Sequence, residues 1–207
     1  MLEEKQFSVE APWGMIRGVT WGNPAHPPVL LVPGKMHVCT GYGPLVKLLP
    51  QCFYFVAIDL PGNGMSDPLP RGISLTIFDM LPAIQVVKRK LGWDHFIYMG
   101  HSLGALIGKM YDLVHPGDIS RMVELDPTPA HHNWDTTRED LRRWHRTYYG
   151  SYEENKYCKF HGSLETAPKY TYEKARQMLL KHADMTEEAC EQVLKRSLVP
   201  AGNGLFR

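Results

Sequence analysis

Gly100-His101-Ser102-Leu103-Gly104 sets one hydroxyl between two glycines, with the apolar run FIYM before it and LGALIGKMYDLV after it. That is a G-x-S-x-G segment where a strand meets a helix, the setting of a serine nucleophile on a sharp, strained turn. Gly100 and Gly104 leave room for the turn to tighten, and a helix N-terminus with free N–H groups stands behind the hydroxyl. The competing reading is an ordinary βα turn in which Ser102 caps the helix.

A serine of this kind needs an oxyanion hole, a base and an acid that orients the base. Val32-Pro33-Gly34-Lys35 ends the first apolar run. A glycine there turns the backbone so that the Lys35 N–H and the Leu103 N–H can form a two-donor hole. Losing one such donor typically costs about 10²–10³ in rate. The same four residues also fit a plain βα turn. Asp126, at the end of the strand after Ser102, is a weak candidate for the acid, and a turn or capping role competes with it. The candidate bases are His131, His132, His145, His161 and His182, each equally a surface residue. His101 adjoins Ser102, so its side chain points away, and His37 follows the oxyanion turn as a substrate contact or a solvated loop residue. Asp59-Leu60-Pro61-Gly62-Asn63-Gly64 has neither the G-x-G-x-x-G spacing nor a following Lys-Ser/Thr, so it is read as a structural turn with Asp59 bonding loop amides.

Composition narrows the function classes. With 23 basic and 22 acidic side chains the formal net charge is +1, which gives no electrostatic footing for nucleic acid or anionic lipid. Cys39, Cys52, Cys158 and Cys190 show no C-x-x-C spacing, so neither a metal site nor a disulfide framework is indicated, and a reducing compartment fits. No cofactor motif is present. The first residues, MLEEKQFSVE, are polar where a secretory signal would be basic and then apolar, and no apolar stretch reaches membrane-spanning length. These features point to a soluble cytoplasmic protein, the peroxisome being the alternative.

Positioning these groups requires particular elements. FSVE and MIRGVTW flank Pro12-Trp13-Gly14 as a hairpin. VLLV and FYFVAID read as strands buried on both faces. A short helix is expected over 44–49, a helix over 74–91 reset or kinked by Pro82, the helix 103–114 behind Ser102, and a strand over 122–125. Alternating strands and helices predict an α/β class with a doubly wound parallel sheet over residues 1–129. Residues 130–207 show no strand pattern and read as a helical cap: one helix capped by Thr137 with Asp140 in the capping box, then helices over 172–182 and 186–196. Glutamates open the last of these, and Lys195 and Arg196 close it, matching the helix dipole.

VLLVPG, DLPGNGMSD, GHSLGALIG and ELDPTP, in this order, resemble the α/β-hydrolase superfamily over the whole chain, and the cap segment is most similar to the serine hydrolase-like proteins of animals. The resemblance implies that Ser102 is the nucleophile, that Lys35 and Leu103 supply oxyanion amides, and that a small acyl compound is the substrate. Ser102 argues against dehalogenase and epoxide-hydrolase chemistry, which use Asp at that position. Two departures stand out. Pro33-Gly34 replaces the usual His-Gly, and relatives continue past Arg207 into strands that carry the acid and the histidine.

Three expectations follow from the resemblance. The chain is a C-terminally truncated serine hydrolase cleaving a small ester, thioester or amide. Alternatively, it is an inactive hydrolase-like binding or regulatory protein. In the third, Ser102, Asp126 and a cap histidine make a substitute triad. Trp134, Trp144, Tyr148 and Tyr149 are candidate pocket walls. The sheet is expected to be incomplete, ending at 122–125 with an apolar edge open to self-association.

Overall fold

Runs of β-branched and aromatic residues form the centre of the fold, and their alternation assigns each side chain to one of two cores. The computed structural model describes residues 3–70, 76–128, 142, 167–182 and 185–207. Six strands form one sheet: β1 (Lys5–Ala11), β2 (Gly14–Trp21), β3 (Pro28–Val32), β4 (Tyr54–Ile58), β5 (Phe96–His101) and β6 (Ile119–Leu125), in the order β1-β2-β4-β3-β5-β6. The pairs β4–β3, β3–β5 and β5–β6 are parallel. The hairpin β1–β2 is antiparallel and joins the same sheet antiparallel to β4, so the sheet is mixed rather than wholly parallel. A two-residue turn reverses the chain between β1 and β2, and only an antiparallel pair can be joined so tightly.

Val29 and Leu31 pack with Phe55, Ala57 and Met99 on one face, while Leu30 and Val32 pack with Val56, Ile58 and Tyr98 on the other. Helix α1 (Gly43–Val46) and the 3-10 turn Cys39–Tyr42 before it cover the first face. Helical winding therefore starts and stops earlier than the expected 44–49. Helices α2 (Leu81–Leu91) and α3 (Leu103–Val114) cover the second. Pro82 stands in the first turn of α2, where its missing N–H costs no helical bond, so it sets the helix start. A separate 3-10 turn, Ile77–Met80, precedes it with a Thr76/Asp79 capping box.

Beyond residue 166 lie α4 (Tyr172–His182) and α5 (Glu187–Ser197), with Thr186 Oγ1 accepting from the Ala189 N–H as the cap of α5. The expectation of no strand in 130–207 is overturned. Strand β7 (Tyr170–Thr171) pairs antiparallel with β8 (Leu205–Phe206). Gly202, Asn203 and Gly204 all take positive φ and turn the chain back into β8. Two-residue strands show no alternation, so periodicity could not reveal them. The cap helix expected at Thr137 lies outside the described residues.

Among the described residues β6 ends the sheet. Its exposed positions include Ser120, Arg121 and Glu124 beside Val123, so the edge is mixed in polarity rather than apolar. Glu124 pairs with Lys109 of α3 at 3.0 Å. No helix among the described residues is long and apolar enough to cross a membrane.

Candidate active site

Ser102 sits where β5 meets α3, half-buried, with φ 50° and ψ −116°. An L-residue rarely holds that conformation, and it persists only where the surroundings fix it. The two glycines show what fixes it. A Cβ on Gly100 would stand 2.5 Å from the Ala105 nitrogen, and one on Gly104 would stand 2.2 Å from the Val32 carbonyl oxygen. Both obstacles are backbone, so neither can step aside. The Tyr98 hydroxyl donates to the Gly104 carbonyl at 2.7 Å, and the Tyr42 hydroxyl donates to the Val32 carbonyl at 2.8 Å. Burial pushes both phenols above their ordinary range, so they remain donors at any physiological pH.

The segment after β6 closes over the same corner. The Ser102 N–H donates to the Leu125 carbonyl at 3.0 Å, and the Thr128 N–H donates to the Ser102 carbonyl at 3.3 Å. Among the described residues, the group that meets the Ser102 hydroxyl is Thr128, whose Oγ1 lies 3.3 Å from Ser102 Oγ. Nothing in ELDPTP singled out this threonine in the sequence. Asp126 is exposed with φ 42°. Its backbone turns the chain so that Thr128, two residues on, reaches the serine. Among the described residues no histidine hydrogen-bonds Ser102 Oγ. His131, His132, His145 and His161, and the four aromatic residues expected to wall the pocket, lie outside the described residues, as does the His182 side chain.

On the other side of Ser102, a Cβ on Gly34 would lie 3.2 Å from Ser102 Cβ, so the turn after β3 touches the elbow. That turn runs from Gly34 to His37, closed by the His37 N–H to the Gly34 carbonyl at 3.1 Å, with Met36 at φ 60°. Lys35 is exposed within it. Leu103 is the first residue of α3 and has no carbonyl one turn back inside the helix, which leaves its N–H at the helix mouth.

His101 stacks on His37 with ring centroids 5.3 Å apart and planes within 4°. Burial first, and the neighbouring His101 second, hold the His37 imidazole below its ordinary value, so the stack is not doubly charged near neutrality. The pair lines a cavity of about 490 Å³ whose other walls include Tyr42 and Leu125 of the core and Met185, Ala189 and Val193 of the α5 region.

A second tight corner stands at the end of β4. Asp59 is fully buried, and its carboxylate accepts from the Cys39 N–H at 2.8 Å and the Met65 N–H at 2.9 Å. The loop-amide role read from the sequence is therefore present. A third donor had no sequence signal beyond a basic residue in a last helical turn. Arg196 of α5 reaches Asp59 with Nε 2.5 Å from Oδ2 and is itself buried. Cys39, Cys52 and Cys190 are free thiols.

Comparison with known proteins agrees with this architecture. The sequence profile described as the alpha/beta hydrolase fold matches residues 27–194. Serine hydrolase-like protein 2 of Homo sapiens is 28% identical over 201 residues, which cover 97% of this chain and 62% of the human protein. A probable serine hydrolase of Drosophila melanogaster is 32% identical over 123 residues, 59% of this chain and 37% of the fly protein. The chain thus spans less than two thirds of the length of these relatives. Among solved structures, the hypothetical protein PA1622 of Pseudomonas aeruginosa PAO1 superposes with a TM-score of 0.77 at 22% identity, covering 98% of this chain and 68% of that one. The thioesterase domain from the curacin biosynthetic pathway gives 0.74 at 22% identity, covering 100% of this chain and 71% of that one. At such identities the likeness concerns the fold. Sequence profile, sheet order and the strained corner at Ser102 together place this chain in the α/β-hydrolase family, close to the serine hydrolase-like proteins of animals.

Proposed function

We propose that Ser102 is the nucleophile of a serine hydrolase that cleaves a small ester, thioester or amide. The observation that carries this reading is the Ser102 backbone at φ 50° and ψ −116°, half-exposed between β5 and α3. A serine that merely capped the helix would take the extended backbone usual at such positions, as Thr186 does at φ −71° and ψ 159°. In the proposed step Ser102 Oγ attacks the acyl carbonyl, its proton passes to a base, and the carbonyl electrons move onto an oxygen held by the Lys35 and Leu103 N–H groups. The leaving alcohol, thiol or amine then takes that proton from the base, and water releases the acyl group from Ser102 by the same route. On this reading residues 1–129 are the hydrolase core that supplies the nucleophile and the oxyanion donors, and 130–207 are the cap segment, whose described part holds α4, α5 and the β7–β8 pair.

The base is sought among the histidines outside the described residues or in the part of the relatives that this chain does not span. The cavity lined by His37 and by His101, the chain neighbour of Ser102, suits the acyl portion, because most of its lining is apolar, Pro33, Val38, Leu45, Leu125 and Val193 included. A second reading, a binding protein without turnover, draws on the Thr128 contact at Ser102 Oγ where a hydrolase needs a histidine. Fluorophosphonate labelling separates the two. The hydrolase reading expects label on Ser102, in this chain or in the complete product of its gene, and none after Ser102→Ala. A wild-type protein that stays unlabelled in both forms, yet binds acyl ligands, would support the second reading and sink the first.

A further inference from the structure

We infer that Arg196 is a positioning residue: through Asp59 it holds the segment that presents the Lys35 amide, so that docking of α5 and formation of the oxyanion turn are one event. This rests on the proposed role of that turn. The chain of contacts is short. Arg196 Nε donates to Asp59 Oδ2 at 2.5 Å, and the other oxygen, Oδ1, accepts from the Cys39 N–H at 2.8 Å. Cys39 lies two residues past His37, whose own N–H closes the Gly34–His37 turn. The far end of the guanidinium is also tied, with Nη1 donating to Gln6 Oε1 of β1 at 2.9 Å.

Two features argue that this pair does more than hold the helix down. Arg196 and Asp59 side chains are 3% and 0% exposed. A charge pair so deep loses most of its hydration, and an apolar contact of equal volume would dock α5 at least as well. What the ion pair adds is direction, because a planar guanidinium fixes where its acceptor sits. The second feature is that the loop is shaped around the carboxylate. Gly64 takes φ 50°, and a Cβ there would stand 2.3 Å from Asp59 Oδ2. The same helix lends Ala189 and Val193 to the cavity that His37 and His101 line. One arginine therefore registers the cavity wall and the oxyanion turn against each other.

The test uses Arg196→Lys, Arg196→Met and the double variant Asp59→Asn with Arg196→Met, which removes both charges and so leaves neither buried alone. The first readout is alkylation by iodoacetamide at Cys39, resolved by peptide mass spectrometry, with the exposed Cys52 as the internal standard. Cys39 is fully buried, and burial followed by the Asp59 charge pushes its thiol up, so the native protein protects it. The second readout is fluorophosphonate inactivation at Ser102, split into its binding constant and its first-order step.

Arg196→Met is expected to speed Cys39 alkylation about tenfold with Cys52 unchanged. It is also expected to slow the first-order step about tenfold at similar binding, a fraction of the 10²–10³ that follows full loss of an oxyanion donor. Arg196→Lys should fall between, since it keeps the charge without the fork. The double variant should refold to near wild-type stability while its Ser102 rate stays low. A purely structural role predicts the opposite, with rate and stability recovering together. Folded variants with wild-type Cys39 protection overturn the inference. If the wild-type serine never reacts, the proposed hydrolase has failed, and the Cys39 measurement alone then decides whether Arg196 sets the segment.

Discussion

Two tight corners stand at neighbouring strand ends, and they are built in opposite ways. The corner at Ser102 is made by its own sequence. Gly100, Ser102 and Gly104 are adjacent, and the close approaches that require the glycines involve α3 itself and the end of β3. The corner at Asp59 is made by distance. Its carboxylate gathers Cys39 from 20 residues away and Arg196 from 137 residues away. The first corner exists as soon as β3, β5 and α3 are in place. The second is complete only when the last helix has docked, which under the proposed role of Arg196 ties the Gly34–His37 turn to the folding of both parts of the chain.

The widest gap between the two should appear on removing the acceptor of the long-range corner. Asp59→Ala leaves Arg196 buried without its partner and strands the Cys39 and Met65 N–H groups. Breaking a buried pair from one side costs about 3–5 kcal/mol, which urea denaturation would register as a large fall in midpoint. A loss under about 1 kcal/mol, the range of an exposed pair, would mean that water reaches the site and that the two corners do not differ in kind.

The local corner should be less costly to break and should fail by a different route. Gly104→Ala puts a methyl against the Val32 and Pro33 carbonyl oxygens, 2.2 and 2.8 Å from where the Cβ must lie. Overpacking of this sort costs about 1–3 kcal/mol. Because the strain falls between β3 and α3, fluorophosphonate reactivity of Ser102 should fall along with stability. Full reactivity in Gly104→Ala would show that the elbow tolerates a wider opening than its close contacts imply.

The same contrast explains what could be read from the sequence. The hairpin, the buried strands and α3 were legible because their signals lie within a few residues: alternating faces, continuous apolar runs, and breakers at Pro12-Trp13-Gly14 and His115-Pro116-Gly117. Ser102 was legible for the same reason. Thr128 was not, since a threonine between two prolines carries no pattern, and its meeting with Ser102 Oγ depends on how β6 pairs with β5. Arg196 was read as a cation in the last turn of the final helix, where it does stand, but nothing near it in the sequence announced its buried pairing with Asp59. Helix-dipole logic speaks only of the helix itself, whereas this pairing depends on α5 packing against the 39–42 turn. The short β7–β8 pair escaped because two residues are too few to show a period.

The smallest expected effect has the most diagnostic sign. Ser102 holds φ 50° and ψ −116°, a region that costs an L-residue about 1–3 kcal/mol and that glycine enters freely. Ser102→Gly releases that strain. It gives up the 3.3 Å contact with Thr128 Oγ1, which is half-exposed and readily replaced by water, and it adds the entropy that any glycine loses on folding, about 0.5–1 kcal/mol. The balance is a gain of about 1 kcal/mol, measurable as a raised urea midpoint, together with complete loss of labelling at this position. Most substitutions destabilise by about 1 kcal/mol, so a fall of that size would mean the turn stores no strain. A gain would show that the elbow holds its hydroxyl at a cost in stability, whereas the Asp59 corner should lose stability when its carboxylate is removed with Arg196 left in place.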